Sequence, residues 1–270
     1  MASSSSSSMN LKIVNVWDDS FQIHFDNFIS TIRNYNVIVV DTEFAGILEK
    51  IRYKKKDDVY AQMKRNINET KCIQVGFDDS MPRYRKRIPC IWNFNLQFDM
   101  ETDTYCPDAM ELLQTNEMVL RKHARDGISA HKLCEAMLNS ELLLTSALSV
   151  YPKTWLTYGW NYNLGHCVKF FQPTNVLPNS RLVFEDMARS YFGERFFGVK
   201  LMSAYIDLAY GKMKLATVVA RFNVDNGGVS HKPVADALIT LKLYQILKIK
   251  DGNVNCVNMV TDLFYGATYS

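Results

Sequence analysis

Apolar residues recur along the chain with two different periods. Between residues 20 and 34, Phe21, Phe25, Phe28, Ile29 and Ile32 fall on one side of a 3.6-residue repeat, which predicts an amphipathic helix. The run Val37-Ile38-Val39-Val40 predicts a buried strand, and it leads straight into Asp41, Thr42 and Glu43. KCIQVGF (71–77) predicts a second strand with alternating burial, and the aromatic-rich RIPCIWNFNLQF (87–98) a third. With no room for long crossovers, these strands are expected to pair antiparallel. From residue 107 the repeat turns helical, through DAMELLQ, then EMVLRKHARDG with Gly127 as a stop, then AHKLCEAMLNSELLL. KTWLTYGW (153–160) predicts a further strand, and NLGHCVKFF (163–171) a helix opened by Asn163 as its N-cap. RLVFEDMARSYFG predicts a helix ending at Gly193, FFGVKLMSAYI a last strand or loop, and KLATVVARF and KPVADALITLKLYQILK two more helices. Strands first, with helices interleaved later, predict an α/β fold with a mixed central sheet flanked by helices.

The carboxylates after the first strand need an explanation. Residues two apart on a strand share a face, so Asp41 and Glu43 project together, with Thr42 opposite. Two carboxylates side by side repel unless a cation neutralises them. Asp236 poses a similar problem, because it shares a helix face with Ile239, Thr240, Leu243 and Leu247, the face expected to bury. Hard oxygen donors converging from separate elements suit Mg2+ or Mn2+. His231, five residues before Asp236 at the start of that helix, is well placed as a base. Taken singly, an Asp236–arginine pair and a helix-start role for His231 are ordinary alternatives. The joint pattern is harder to explain as packing.

Composition narrows the field a little. A chain of 270 residues, 47% hydrophobic and 22% charged, is an ordinary globular one, and a net charge of +3 implies no polyanion by itself. Lys50, Arg52, Lys54, Lys55 and Lys56 flank Tyr53, and Arg83, Arg85, Lys86 and Arg87 flank Tyr84. That mixture suits a surface for single-stranded nucleic acid, although solvated loops are the commoner origin of such runs. Six scattered cysteines, without a Cys-x-x-Cys pair, read as reduced core thiols. Ser3 to Ser8 mark residues 1–9 as a disordered serine-rich tail, leaving residues 10–270 as a single domain. No apolar stretch approaches the roughly 20 residues of a membrane helix, which predicts an intracellular protein with no membrane partner.

Long blocks of the chain resemble one family. VIVVDTEFAG, with Asp41, Glu43 and Phe44 and with Ala45 where proline is usual, is similar to the Asp-Thr-Glu-Phe motif of the CCR-associated factor (Caf/Pop) deadenylase subunits of the CCR–NOT complex. CIQVGF, WNFNLQFDMETDTYCPDAMELLQ, KHARDGI and SHKPVADALITLKLY each resemble the corresponding family stretches. These subunits are DEDD-type 3′-to-5′ exoribonucleases, so the resemblance implies an RNase H-like exonuclease fold and removal of nucleotides from mRNA poly(A) tails. It implies a site holding two divalent ions, Mg2+ or Mn2+, on Asp41, Glu43, Asp236 and residue 163, with His231 as general base. Single-stranded poly(A) RNA and other CCR–NOT subunits would be the partners, in nucleus and cytoplasm. One position departs from the family: Tyr162-Asn163-Leu164-Gly165-His166 stands where Tyr-Asp-Phe-Gly-Tyr is usual. Asparagine in place of the third acid predicts weakened activity. The alternatives are a catalytically inactive scaffold subunit of the same complex and, more remotely, a proofreading-type DNA exonuclease.

Overall fold

The computed structural model describes residues 12–50, 56–78, 90–140, 142, 153–172, 174–193, 195–206, 215–222 and 233–250. Strands β1 Lys12–Val16, β2 Val37–Phe44, β3 Cys72–Asp78, β4 Cys90–Asn95, β5 Thr154–Thr157 and β6 Phe196–Gly198 form one sheet in the order β1-β4-β3-β2-β5-β6. Around it lie α1 Phe21–Ile32, α2 Lys56–Glu69, α3 Pro107–Thr115, α4 Leu120–Asp126, α5 Ala130–Asn139, α6 Trp160–Phe170, α7 Arg181–Phe192, α8 Val199–Ile206, α9 Leu215–Arg221 and α10 Pro233–Lys250. β3 runs antiparallel to β2 and β4, while β1–β4, β2–β5 and β5–β6 are parallel. The sheet is mixed, as the pattern predicts.

The pleat divides β2 between two cores. Ile38 and Val40 join the larger one, where Phe25, Phe28, Phe77, Phe94 and Trp155 meet residues of α2, α6 and α7. Val39 faces the other way, into a smaller core with Leu156, Phe197 and residues of α8, α9 and α10. Covered on both faces, β3 buries Ile73, Gln74 and Val75 in succession, so its burial does not alternate as expected.

Two lysines hold helix ends inside the protein. Lys153 Nζ donates to the carbonyls of Ile32 (2.9 Å) and Tyr35 (2.8 Å) at the end of α1. Lys169 Nζ donates to Ile67 (2.7 Å), Asn68 (3.3 Å) and Thr70 (2.9 Å) at the end of α2. A cation at the carbonyl end satisfies orphan acceptors and the helix dipole together.

Several boundaries differ from the sequence reading. β2 continues through the carboxylates to Phe44 rather than stopping at Val40. β1 and α2 are additional elements; Val59, Tyr60, Met63 and Ile67 give α2 its buried stripe. Residues 196–206 divide into β6 and α8. Asn163 is not an N-cap: α6 begins at Trp160 with Gly159 at its cap, which puts Asn163 inside the helix. The serine tail, Arg52, Lys54 and Lys55, the second basic run with Tyr84, Cys256 and His231 lie outside the described residues.

Candidate functional site

The acid pair owes its placement to the pleat of β2. Asp41 and Glu43 project with Val39 toward the side that α10 covers. Asp236 enters from the first turn of α10, which is anchored by buried Ala237, Ile239, Thr240, Leu243 and Leu247. Both β2 carboxyls keep some exposed surface, yet enough protein encloses them for desolvation to dominate their ionisation. Burial, and then the charge of Asp236, lifts Asp41 to about 7 against the hydrogen bonds it accepts from Asn163 and the Thr42 backbone. Burial, and then the charges of Asp41 and Asp236, lifts Glu43 to about 8. Among the described residues no three His, Cys, Asp or Glu side chains stand close enough to grip one ion. Asp236 therefore acts on the pair through its field.

Asn163 closes the other side of this corner. It is buried, and its Nδ2 donates to Asp41 Oδ1 and to Thr157 Oγ1, both at 2.7 Å. Its Oδ1 accepts from Thr42 Oγ1 at 2.8 Å. α6 is pressed close enough for this because Gly165 meets α2 without a side chain; a Cβ there would lie 2.2 Å from Ile67 Cδ1.

Other residues border the site that sequence reasoning had not singled out. Thr157, fully buried at the end of β5, carries no sequence signal beyond its place in a strand. Phe44 stacks on Tyr162 (5.4 Å between centroids) and lies 4.6 Å from His166. Burial, then Lys169, lowers His166 to about 3, so the ring is neutral. Tyr158 is kept protonated by burial and by the charge of Asp236.

No protein-family model matches the chain. It is 26% identical over 250 residues to poly(A) ribonuclease pop2 of Schizosaccharomyces pombe, covering 90% of this chain and 72% of that protein. It is 28% identical over 249 residues to CCR4-NOT transcription complex subunit 7 of Caenorhabditis elegans, covering 89% and 76%. The solved structure of S. pombe Pop2p in its Mg2+- and Mn2+-bound form superposes with a TM-score of 0.76 at 25% identity, covering 90% of this chain and 95% of that one. The chain is a homologue of these Pop2 and CCR4-NOT subunit 7 proteins. Its mixed sheet flanked by helices is accordingly the RNase H-like fold of Pop2.

Proposed function

We propose that the chain is a poly(A)-directed 3′-to-5′ exoribonuclease, a deadenylase acting as one subunit of a CCR4-NOT-type assembly, with turnover held low by Asn163. The observation that carries this reading is the Asp41–Glu43 pair, enclosed side by side and pushed toward neutrality, with the charge of a third acid added. Such an arrangement costs the empty protein free energy that a hard divalent cation would return. The poly(A) substrate and the multisubunit setting are supported by the names of the two relatives, and the metal by the ions of the Pop2p structure. Asp41 and Glu43, with the charge of Asp236 beside them, are the hard donors that one Mg2+ or Mn2+ would meet. The Asn163 corner, where a neutral amide presents an N–H, does not fit a second.

Asp41 and Glu43 would hold the ion, with Asp41 oriented by the Asn163 amide and Asp236 adding its charge beside them. When bound, the cation supplies Lewis acidity, a nucleophilic water at neutral pH and charge to stabilise the departing 3′ oxygen. His231, outside the described residues, is the base we assign to the water's proton. Tyr158, held protonated, remains a neutral donor within the field of Asp236.

The test is shortening of a 5′-labelled RNA with an oligo(A) tail by purified protein in Mg2+ or Mn2+. Slow, metal-dependent shortening that Asp41→Ala abolishes is expected. No shortening at any metal concentration, by wild type or by Asn163→Asp, would overturn the catalytic reading. A non-catalytic subunit keeping the fold as an interaction surface would then replace it; the observation favouring this second reading is that Asn163 is already committed to Asp41, Thr42 and Thr157.

A further inference from the structure

The Asn163 amide is held at three points, and one of them decides which way it faces. Thr42 and Thr157 are both hydroxyls, able to donate or accept, so neither distinguishes the amide oxygen from the amide nitrogen. Asp41 does. With the amide turned over, its oxygen would lie at 2.7 Å from Asp41 Oδ1, and once a cation on the acids keeps Asp41 ionised, two acceptors would face one another. The nitrogen therefore faces Asp41, and one N–H lies where a cation shared by residues 41 and 163 would sit. Asn163 is 6%, Thr42 5% and Thr157 0% exposed, so water has little access with which to loosen the lock.

We propose that Thr42 and Thr157 hold the Asn163 amide in place with its N–H turned to Asp41, so that the site takes one divalent cation and none between Asp41 and residue 163. This rests on the acid pair being a metal site. Thr42 and Thr157 are positioning residues here, acting through Asn163. The same two hydroxyls suit an aspartate equally well, since both can turn to donate to its carboxylate. In Asn163→Asp two carboxylates would then face each other across the space the N–H fills, the facing oxygen of residue 163 held by Thr157 and its other oxygen by Thr42. That variant takes a second ion.

The test counts bound Mn2+ on the full chain after chelator dialysis, by the electron paramagnetic resonance signal of the free ion and by calorimetric titration. Wild type is expected to bind one Mn2+ per chain and Asn163→Asp two. Adding Thr157→Val to Asn163→Asp should weaken the second ion roughly 10–100-fold, the range seen when groups orienting metal ligands are removed, and leave the first unchanged. Two ions of similar affinity in wild type, or none, overturn the proposal, and those counts need no substitution that could misfold. A second ion bound equally well with and without Thr157 overturns the role of that hydroxyl. The count is independent of turnover: one Mn2+ in wild type with no poly(A) shortening by wild type or Asn163→Asp sinks the nuclease reading alone, and two in wild type with shortening sink this proposal alone.

Discussion

Lys153 and Lys169 are as closely enclosed by protein as Asp41 and Glu43, but their surroundings differ in kind. Each lysine ammonium meets the carbonyls that end a helix, so its charge is spent on closing the fold. Desolvation draws Lys169 down to about 8, and it stays mostly protonated at neutral pH. The two acids have a neutral amide on one side of Asp41 and further negative charge beside them. Among the described residues none donates a hydrogen bond to the Glu43 carboxyl. Buried charge that is satisfied stabilises, and buried charge that is not satisfied marks a place kept for something else.

The sharpest way to break this comparison is to neutralise one member of each pair. Lys169→Met strands the carbonyls at the end of α2 and should cost roughly 3 kcal/mol in urea denaturation. Asp41→Asn in chelator should not destabilise and is expected to raise the melting temperature, because it removes a repulsion. Equal losses from both would show that the acids are as well satisfied as the lysine. Next in size is metal stabilisation. At Mn2+ a hundredfold above its dissociation constant, wild type should gain about 2.7 kcal/mol by preferential binding to the folded state. Asp41→Asn should gain almost nothing, and an equal gain in both would place the ion elsewhere.

A third measurement uses pH. The folded-state values of Asp41 and Glu43, about 7 and about 8, lie above the ordinary carboxylate values of 3.8 and 4.5. Their contribution is therefore fully present at low pH and is lost as pH rises through 7 and 8. Without metal, wild-type stability relative to Asp41→Asn should fall from about pH 4 and level off above about 8; saturating Mn2+, which binds the ionised form, should remove the fall. Taking the difference from the variant cancels Lys169, which titrates near the top of the same range. Curves that stay parallel from pH 5 to 9 would refute the shift. The smallest effect is expected at the surface, where Asp18 pairs with Lys132 at 2.7 Å with both side chains well exposed. Asp18→Asn should cost less than about 1 kcal/mol, and even less at high salt. A loss comparable to that of Lys169→Met would remove the distinction between exposed and enclosed charge.

The acid pair and the Asp236 face were legible in the sequence because carboxylates in an apolar pattern are conspicuous whatever their neighbours. β2 to β5 were legible for a related reason, since their apolar runs exceed what a loop tolerates. α2 was not, because Lys56, Asp57, Asp58, Lys64 and Arg65 surround its stripe of Val59, Tyr60, Met63 and Ile67 and give the segment the look of a charged loop. β1 is at an edge of the sheet and depends on a partner distant in sequence, and β6, three residues at the other edge, was legible only as a strand or loop. The role of Asn163 was misread for a physical reason. An asparagine near a helix start can bond its own backbone or another strand, and the choice here rests on Asp41, 122 positions away. Thr157 was invisible for the same reason.

That separation also orders events while the chain is being made. β2 leaves the ribosome early, but the Asn163 side chain, made just after the parallel neighbour β5, follows only after 122 further residues from Asp41, on the order of ten seconds at ordinary translation speeds. Asp236 comes later still. Until then Asp41 and Glu43 are exposed on an unfinished sheet, hydrated and with ordinary acidity. The corner is therefore assembled only when nearly all of the described fold is available.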